Sequence, residues 1–172
     1  ALAWEYWNAQ GLYNVQCQPY PFPKCEHHIP KNHYPVCPKS EYPTPSCTAN
    51  ACTQGATGNT TVYKGKSHYT LAGVEAFQRE LLANGPFEVA FDVYADFPAY
   101  KSGVYVQKSD QYLGGHAVRV VGWGTLNGTP YWKIANSWNV DWGMNGYFLI
   151  KRGVDECGIE DSGAAGLALL PQ

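Results

Sequence analysis

Gly114-Gly115-His116-Ala117-Val118-Arg119-Val120-Val121-Gly122, then Asn127-Gly128, then Tyr131-Trp132-Lys133-Ile134-Ala135-Asn136-Ser137-Trp138, is the stretch that decides the fold. His116–Gly122 and Tyr131–Ala135 read as two largely apolar strands. The Asn-Gly step between them favours a type I′ turn, so the pair is a β-hairpin. In a hairpin the start of the first strand lies beside the end of the second. His116 and Asn136, 20 residues apart, are therefore expected to touch. An amide oxygen accepting from one imidazole nitrogen fixes the ring's tautomer and leaves the other nitrogen for chemistry. Trp138 and Trp142 follow at once, placed either to wall the pair from water or simply to pack a core. Histidine, amide and shielding indole are the support set for a thiolate nucleophile, whose pKa an imidazolium holds well below the ordinary value of about 8.5.

Working outward, Gly146–Lys151 adds another strand, and Phe97–Val106 is a looser stretch ending in a short Val-Tyr-Val strand. Phe87–Tyr94 alternates Phe87, Val89, Phe91 and Val93 with Glu88, Ala90 and Asp92, the period of a half-buried strand. Gly73–Gly85 reads as an amphipathic helix with Val74, Phe77, Leu81 and Leu82 on the buried stripe. Asn84-Gly85-Pro86 ends it. At the front, Leu2–Gln10 has helical spacing, with Trp4, Trp7, Leu2 and Tyr6 sharing a face and Gly11 as a natural stop. Residues 12 to 62 show no sustained periodicity. The chain thus divides into 1–62, a short helix and a looped segment, and 63–172, a helix and an antiparallel sheet, which is an α+β arrangement.

Five of the six cysteines fall between Cys17 and Cys52, among 8 of the 12 prolines. Such a looped, cysteine-dense segment is expected to be stapled by disulfides and made on an oxidising or secretory route. Cys25, His27, His28, His33 and Cys37 also sit close enough together to raise a zinc site. The Cys-x-x-Cys pair usual for zinc is absent, so no metal is expected. Asn59-Thr60-Thr61 is a glycosylation triplet in a Gly-rich loop, consistent with that route. With 12 basic against 14 acidic side chains, there is no electrostatic footprint for nucleic acid or an anionic membrane. No apolar run reaches the roughly 18 residues of a membrane span. Ala1-Leu2-Ala3-Trp4 lacks the basic start and apolar stretch of a signal peptide.

The motifs in order resemble those of the papain family of cysteine peptidases: Gly114-Gly115-His116-Ala117, Val121-Gly122-Trp123-Gly124, Pro130-Tyr131-Trp132, Asn136-Ser137-Trp138, and Trp142-Gly143 through Gly146-Tyr147. Cys25-Glu26-His27-His28 is similar to the start of the occluding loop of the cathepsin B branch, as is the ending Glu156-Cys157-Gly158-Ile159-Glu160. The likeness runs from about Ala3 to Gly166. It implies an α+β papain-like fold, here incomplete, and a thiolate-dependent endopeptidase and peptidyl-dipeptidase with no cofactor. His116 would be the catalytic base and acid, Asn136 its orienting partner, and Trp138 their cover. Trp142 would belong to the leaving-group side of the cleft. Gly114 and Gly115 would contact substrate, and Ala90 and Ser162 would line the pocket for the second residue before the cleaved bond. His27 and His28 would receive the substrate's C-terminal carboxylate. Cys17–Cys52 and Cys25–Cys37 are the implied disulfides. Peptide and protein substrates, a propeptide and cystatin-like inhibitors are the implied partners, and a lysosomal or related acidic compartment, or secretion, the implied location.

The departures are specific. The family's Cys-Gly-Ser-Cys-Trp nucleophile segment, its preceding oxyanion glutamine and its Gly-Gly-x-Pro strip are not in this chain. The chain therefore reads as the C-terminal portion of such an enzyme, inactive alone, with the nucleophile and a partner for Cys47 expected upstream. Ser162 stands where a floor glutamate is familiar, although a slip of one would put Asp161 there. Asp141 matches a loop-anchoring carboxylate, but the loop's usual arginine is missing, and Lys31 is the nearest basic substitute. The competing reading is a catalytically inactive homologue that serves as a binding or structural protein.

Overall fold

A computed structural model describes residues 2–26, 28, 33–46, 52 and 61–169. Among the described residues two α-helices, α1 (Leu2–Ala9) and α2 (Val74–Ala83), accompany a seven-stranded sheet. The strands are β1 (Gly65–Leu71), β2 (Phe87–Tyr94), β3 (Val104–Tyr105), β4 (Tyr112–Leu126), β5 (Thr129–Ala135), β6 (Tyr147–Lys151) and β7 (Gly163–Ala168). Their spatial order is β1-β7-β2-β4-β5-β6-β3. Every pairing is antiparallel except β3 with β6. The expected hairpin is β4–β5, and Asn127 and Gly128 take φ of 50° and 80°, the positive values a type I′ turn requires.

Alternation on β2 buries Phe87, Val89, Phe91 and Val93. These join Phe77 of α2, Trp132 and Ile134 of β5, and Phe148 and Ile150 of β6 in one core. On α2 the expected stripe needs one correction: Leu82 is 78% exposed. At 3.6 residues per turn it falls off the face set by Val74, Phe77 and Leu81. Glu80 turns inward beside them instead, where its carboxylate accepts from Tyr69 Oη at 2.7 Å and Asn84 Nδ2 at 3.1 Å. On α1, Leu2 and Tyr6 are likewise exposed, while Trp4 and Trp7 are half-buried.

β1 and β7, which the sequence does not announce, form one margin of the sheet, and α1 lies on them. The reason is space. A Cβ on Gly166 would stand 2.6 Å from the Trp4 ring and from the Ser67 carbonyl; one on Gly65 would stand 1.9 Å from Asn8 Oδ1. Glycine at these positions lets two indoles rest directly on the strands. Trp4 Nε1 then donates to Glu88 of β2, and Trp7 Nε1 to the Tyr63 carbonyl, both at 2.9 Å.

In the looped segment Cys17 is bonded to Cys52 and Cys25 to Cys37, so neither Cys25 nor Cys37 offers a thiolate to a metal. His27, Lys31, Cys47 and Asn59 lie outside the described residues. Among the described residues Cys157 is the unpaired cysteine. It packs against the core, and burial, with the Glu156 carboxylate next, pushes its thiol up to about 12.

Two outcomes follow for the full-length protein. Gly166→Ala should lower unfolding stability by about 1–3 kcal/mol in denaturant titrations; an unchanged midpoint would mean that α1 is not held in this way. Cys157 should remain protonated at pH 8, and its alkylation by iodoacetamide, followed by peptide mass spectrometry, should run at least about tenfold slower in the folded than in the unfolded protein. Equal rates would contradict the buried, carboxylate-flanked placement.

Candidate active site

The hairpin register builds the site. From Leu126↔Thr129 to Gly122↔Lys133 the pairing is regular, and then one residue of β4, Val121, is extra, so that Val120 pairs with Ile134 and Arg119 with Ala135. Continuing the shifted register past the end of β5 sets Asn136 across from Val118 and Trp138 across from His116. Without the bulge Asn136 would face Arg119, whose side chain is on the other side of the strand. The contacts follow the shifted register. His116 Nε2 donates to Asn136 Oδ1 at 2.8 Å, and the same oxygen accepts the Ser137 N–H at 2.8 Å. Trp138 lies nearly parallel on His116, with ring centroids 5.1 Å apart and planes at 20°. Nε2 is thereby committed to the amide, and Nδ1 is the atom left for chemistry.

Trp138 is buried, and the aromatic core holds it from behind. It meets Trp142 at 5.1 Å and Phe97 at 5.4 Å, both edge to face. Trp142 is fully buried in this backing layer, with Nε1 donating to the Pro98 carbonyl at 2.9 Å. Its ring supports the covering indole from behind.

A cavity beside the imidazole is lined by His28, Val93, Pro98, Leu113, Gly114, Gly115, His116 and Trp138. It brings together five residues singled out in the sequence. Val93, Pro98 and Leu113, its apolar wall, were not singled out. Val93 reads as a core position by alternation, and Pro98 and Leu113 lie outside any motif. His28 sits with its ring 4.3 Å from that of Trp138 and takes a φ of 63°.

Among the described residues the looped segment is also tied to the chain that follows Trp138. Asn139 Nδ2 donates to the Cys25 carbonyl at 2.6 Å, and His33 Nδ1 lies 3.0 Å from Asp141 Oδ2. His33 thus engages Asp141, the carboxylate expected to anchor the loop, while Lys31 lies outside the described residues; a histidine eight residues beyond Cys25 carries no spacing signal for that role. Glu26 braces the returning limb by accepting the backbone N–H groups of His33 and Tyr34 at 2.7 and 2.9 Å.

On the far side of His116, Ala90 pairs with Ala117, and both are exposed. Val89 pairs with Gly163, and one more step of that register sets exposed Ser162 beside Ala90. Asp161 is turned into its own loop, where the neighbouring Asp155 carboxylate, and then a hydrogen bond to it, raise its carboxyl above the ordinary range. Among the described residues no cluster of histidine, cysteine or carboxylate side chains is arranged to hold a metal ion.

Comparison with known proteins agrees with this architecture. Residues 1–167 match the model of the papain family cysteine protease. The chain is 48% identical over 179 residues to cathepsin B-like cysteine proteinase 6 of Caenorhabditis elegans, covering 98% of this chain and 47% of that protein. It is 46% identical over 182 residues to a cathepsin B-like cysteine proteinase of Schistosoma japonicum, covering 96% of this chain and 51% of the relative. Among solved structures, procathepsin B S9 from Trypanosoma congolense superposes with a TM-score of 0.83 at 48% identity, over 98% of this chain and 52% of that one. The chain spans about half the length of these relatives. The chain belongs to the papain family of cysteine proteases, and its similarity is to the cathepsin B-like members.

Proposed function

We propose that this chain is the histidine-bearing part of a cathepsin B-like endopeptidase and peptidyl-dipeptidase whose nucleophilic cysteine is supplied by the rest of the protein. The observation that carries the reading is His116, held through Nε2 by Asn136 and covered by Trp138, with Nδ1 free. Cys157 does not suit the nucleophile's role, because its thiol is held protonated; a nucleophilic cysteine needs the opposite shift.

In the proposed reaction an upstream thiolate, paired with the His116 imidazolium, attacks the peptide carbonyl carbon. A C–S bond forms and the carbonyl electrons move to oxygen. As the C–N bond breaks, the imidazolium passes its Nδ1 proton to the leaving amine. Water, deprotonated by neutral His116, then attacks the thioester; the acid leaves and the thiolate is regenerated. Asn136 keeps the ring turned through both proton transfers. The apolar wall of Val93, Pro98 and Leu113 suits the side chain on the leaving side. His28, with His27, is the proposed receiver of a terminal carboxylate by a charge-assisted bond. The attachment of the looped segment through His28, Cys25 and His33 favours its role as an occluding loop. Disulfides support a secretory or lysosomal route, and a propeptide and cystatin-like inhibitors are the proposed protein partners.

The full-length protein should hydrolyse a dipeptidyl-coumarin substrate and be inactivated by a thiol-directed epoxide. The 172-residue chain should be inert. His116→Ala should lower kcat by about 10⁴-fold or more. A full-length protein that folds and binds the peptide without turning it over would instead be the inactive, binding homologue.

Release of C-terminal dipeptides should be fastest at about pH 5 and should give way to internal cleavage as pH rises. Replacing both His27 and His28 with alanine should abolish most dipeptide release while sparing internal cleavage. His33→Ala should move the balance the same way by freeing the returning limb. Dipeptide release by the double variant at the parent rate, followed by chromatography of the products, would remove the loop from this role.

A further inference from the structure

Glu160 is buried, with 7% of its surface exposed, and has no part in the chemistry above. Its carboxylate gathers three N–H groups. Oε1 accepts from Trp132 Nε1 at 2.8 Å and from Gly153 N at 2.7 Å, and Oε2 accepts from Asp155 N at 2.8 Å. Its own N–H donates to Asp155 Oδ1 at 2.8 Å, and its carbonyl accepts the Gly73 N–H at the start of α2 at 2.9 Å. One residue therefore joins β5, the head of α2 and the loop between β6 and β7.

In the loop between β6 and β7, Asp155 and Cys157 stand at φ of 53° and 55°, a left-handed backbone that aspartate tolerates and cysteine adopts less readily. Two residues past Glu160 comes Ser162, and then Gly163, wedged against Phe77 and Phe87, where a Cβ would stand 3.1–3.2 Å from their rings. Ser162 is an exposed side chain suspended between two anchors, the carboxylate knot before it and the glycine wedge after it. The wedge fixes its height against β2; the knot fixes the direction from which the chain arrives.

We propose that Glu160 is a positioning residue for the pocket that reads the second residue before the cleaved bond, acting by aiming position 162 at Ala90. This rests on the reading of Ser162 as part of that pocket. Replacing the carboxylate by an amide keeps one acceptor oxygen and turns an NH2 toward whichever of the three N–H groups faced the other, which loosens the loop and releases position 162 from its aim without touching His116 or Asn136.

The test is a double-mutant cycle in the full-length protein, read with two peptidyl-coumarin substrates that differ only in having phenylalanine or arginine at the second position. Their kcat/KM ratio cancels the fraction of folded enzyme, so it moves only if the pocket does. The parent should prefer phenylalanine. Ser162→Glu should raise the arginine-to-phenylalanine ratio by about tenfold or more, through a charge-assisted pair with the guanidinium, and mainly through KM. In a Glu160→Gln background the same Ser162→Glu change should raise it less than about threefold, because the new carboxylate is no longer aimed. Asp155→Gly is the gentler second background: it deletes the acceptor of the Glu160 N–H while tolerating positive φ. It should blunt the Ser162→Glu effect in the same direction, which keeps the proposal testable if Glu160→Gln does not fold. An undiminished Ser162→Glu effect in these backgrounds overturns the role of Glu160 alone. No effect of Ser162→Glu in the parent overturns the pocket reading, and the proposal with it.

Discussion

Asn127 and Gly128 both take positive φ, and from that turn β4 and β5 pair regularly until Val121 is squeezed out of the ladder. Side chains alternate across a strand, so one extra residue exchanges the faces of everything beyond it. Below the bulge Trp123 meets Trp132 across the hairpin; above it Val120 meets Ile134 in the core. The same exchange brings Asn136 and Trp138 onto the side of His116. The hydrogen bond that fixes the imidazole, and the indole stacked on it, thus depend on a single unpaired residue some distance from either.

The position of Trp138 depends in turn on an aromatic layer centred on Phe97. This ring, fully buried, touches Phe91, Tyr100, Tyr105, Trp138, Trp142 and Phe148 at centroid distances of 4.8–6.4 Å. Rings packed at these distances gain from edge-to-face geometry beyond the area they bury. Trp142 adds a bond to the Pro98 carbonyl, so the layer also fixes a residue of the cavity wall. This layer gives the His116 imidazole and its covering indole a supporting shell with little freedom.

How much of this was legible in the sequence follows from how local each signal is. The hairpin, its turn and the His116–Asn136 meeting could be read because alternation and Asn-Gly are short-range cues. The bulge could not, since Val120 and Val121 are chemically alike and only the partner strand decides which is extra. β1 and β7 were invisible for a related reason. Gly163-Ala164-Ala165-Gly166 has no β-branched or aromatic residue, because the indoles of α1 and the rings of Phe77 and Phe87 occupy the space side chains would need. Tertiary packing has overridden propensity there. Leu82 was assigned inward by hydrophobicity, whereas Glu80 goes inward because Tyr69 and Asn84 satisfy it. The link from His33 to Asp141, 108 residues apart, is a purely tertiary fact. The motifs contain His116, Asn136, Trp138 and Trp142, whereas the bulge at Val121 and the ring of Phe97 carry no motif.

In the proposed enzyme His116, oriented by Asn136, sustains a thiolate. The most direct measurement is the pH dependence of thiol alkylation by iodoacetamide in the full-length protein, beside its His116→Ala variant. The account predicts a fast-reacting cysteine whose rate is already high in mildly acid solution, well below the ordinary thiol range of about 8.5, and which in the variant reacts only as pH approaches that range. Identical profiles for the two proteins, both rising near the ordinary thiol value, would contradict it.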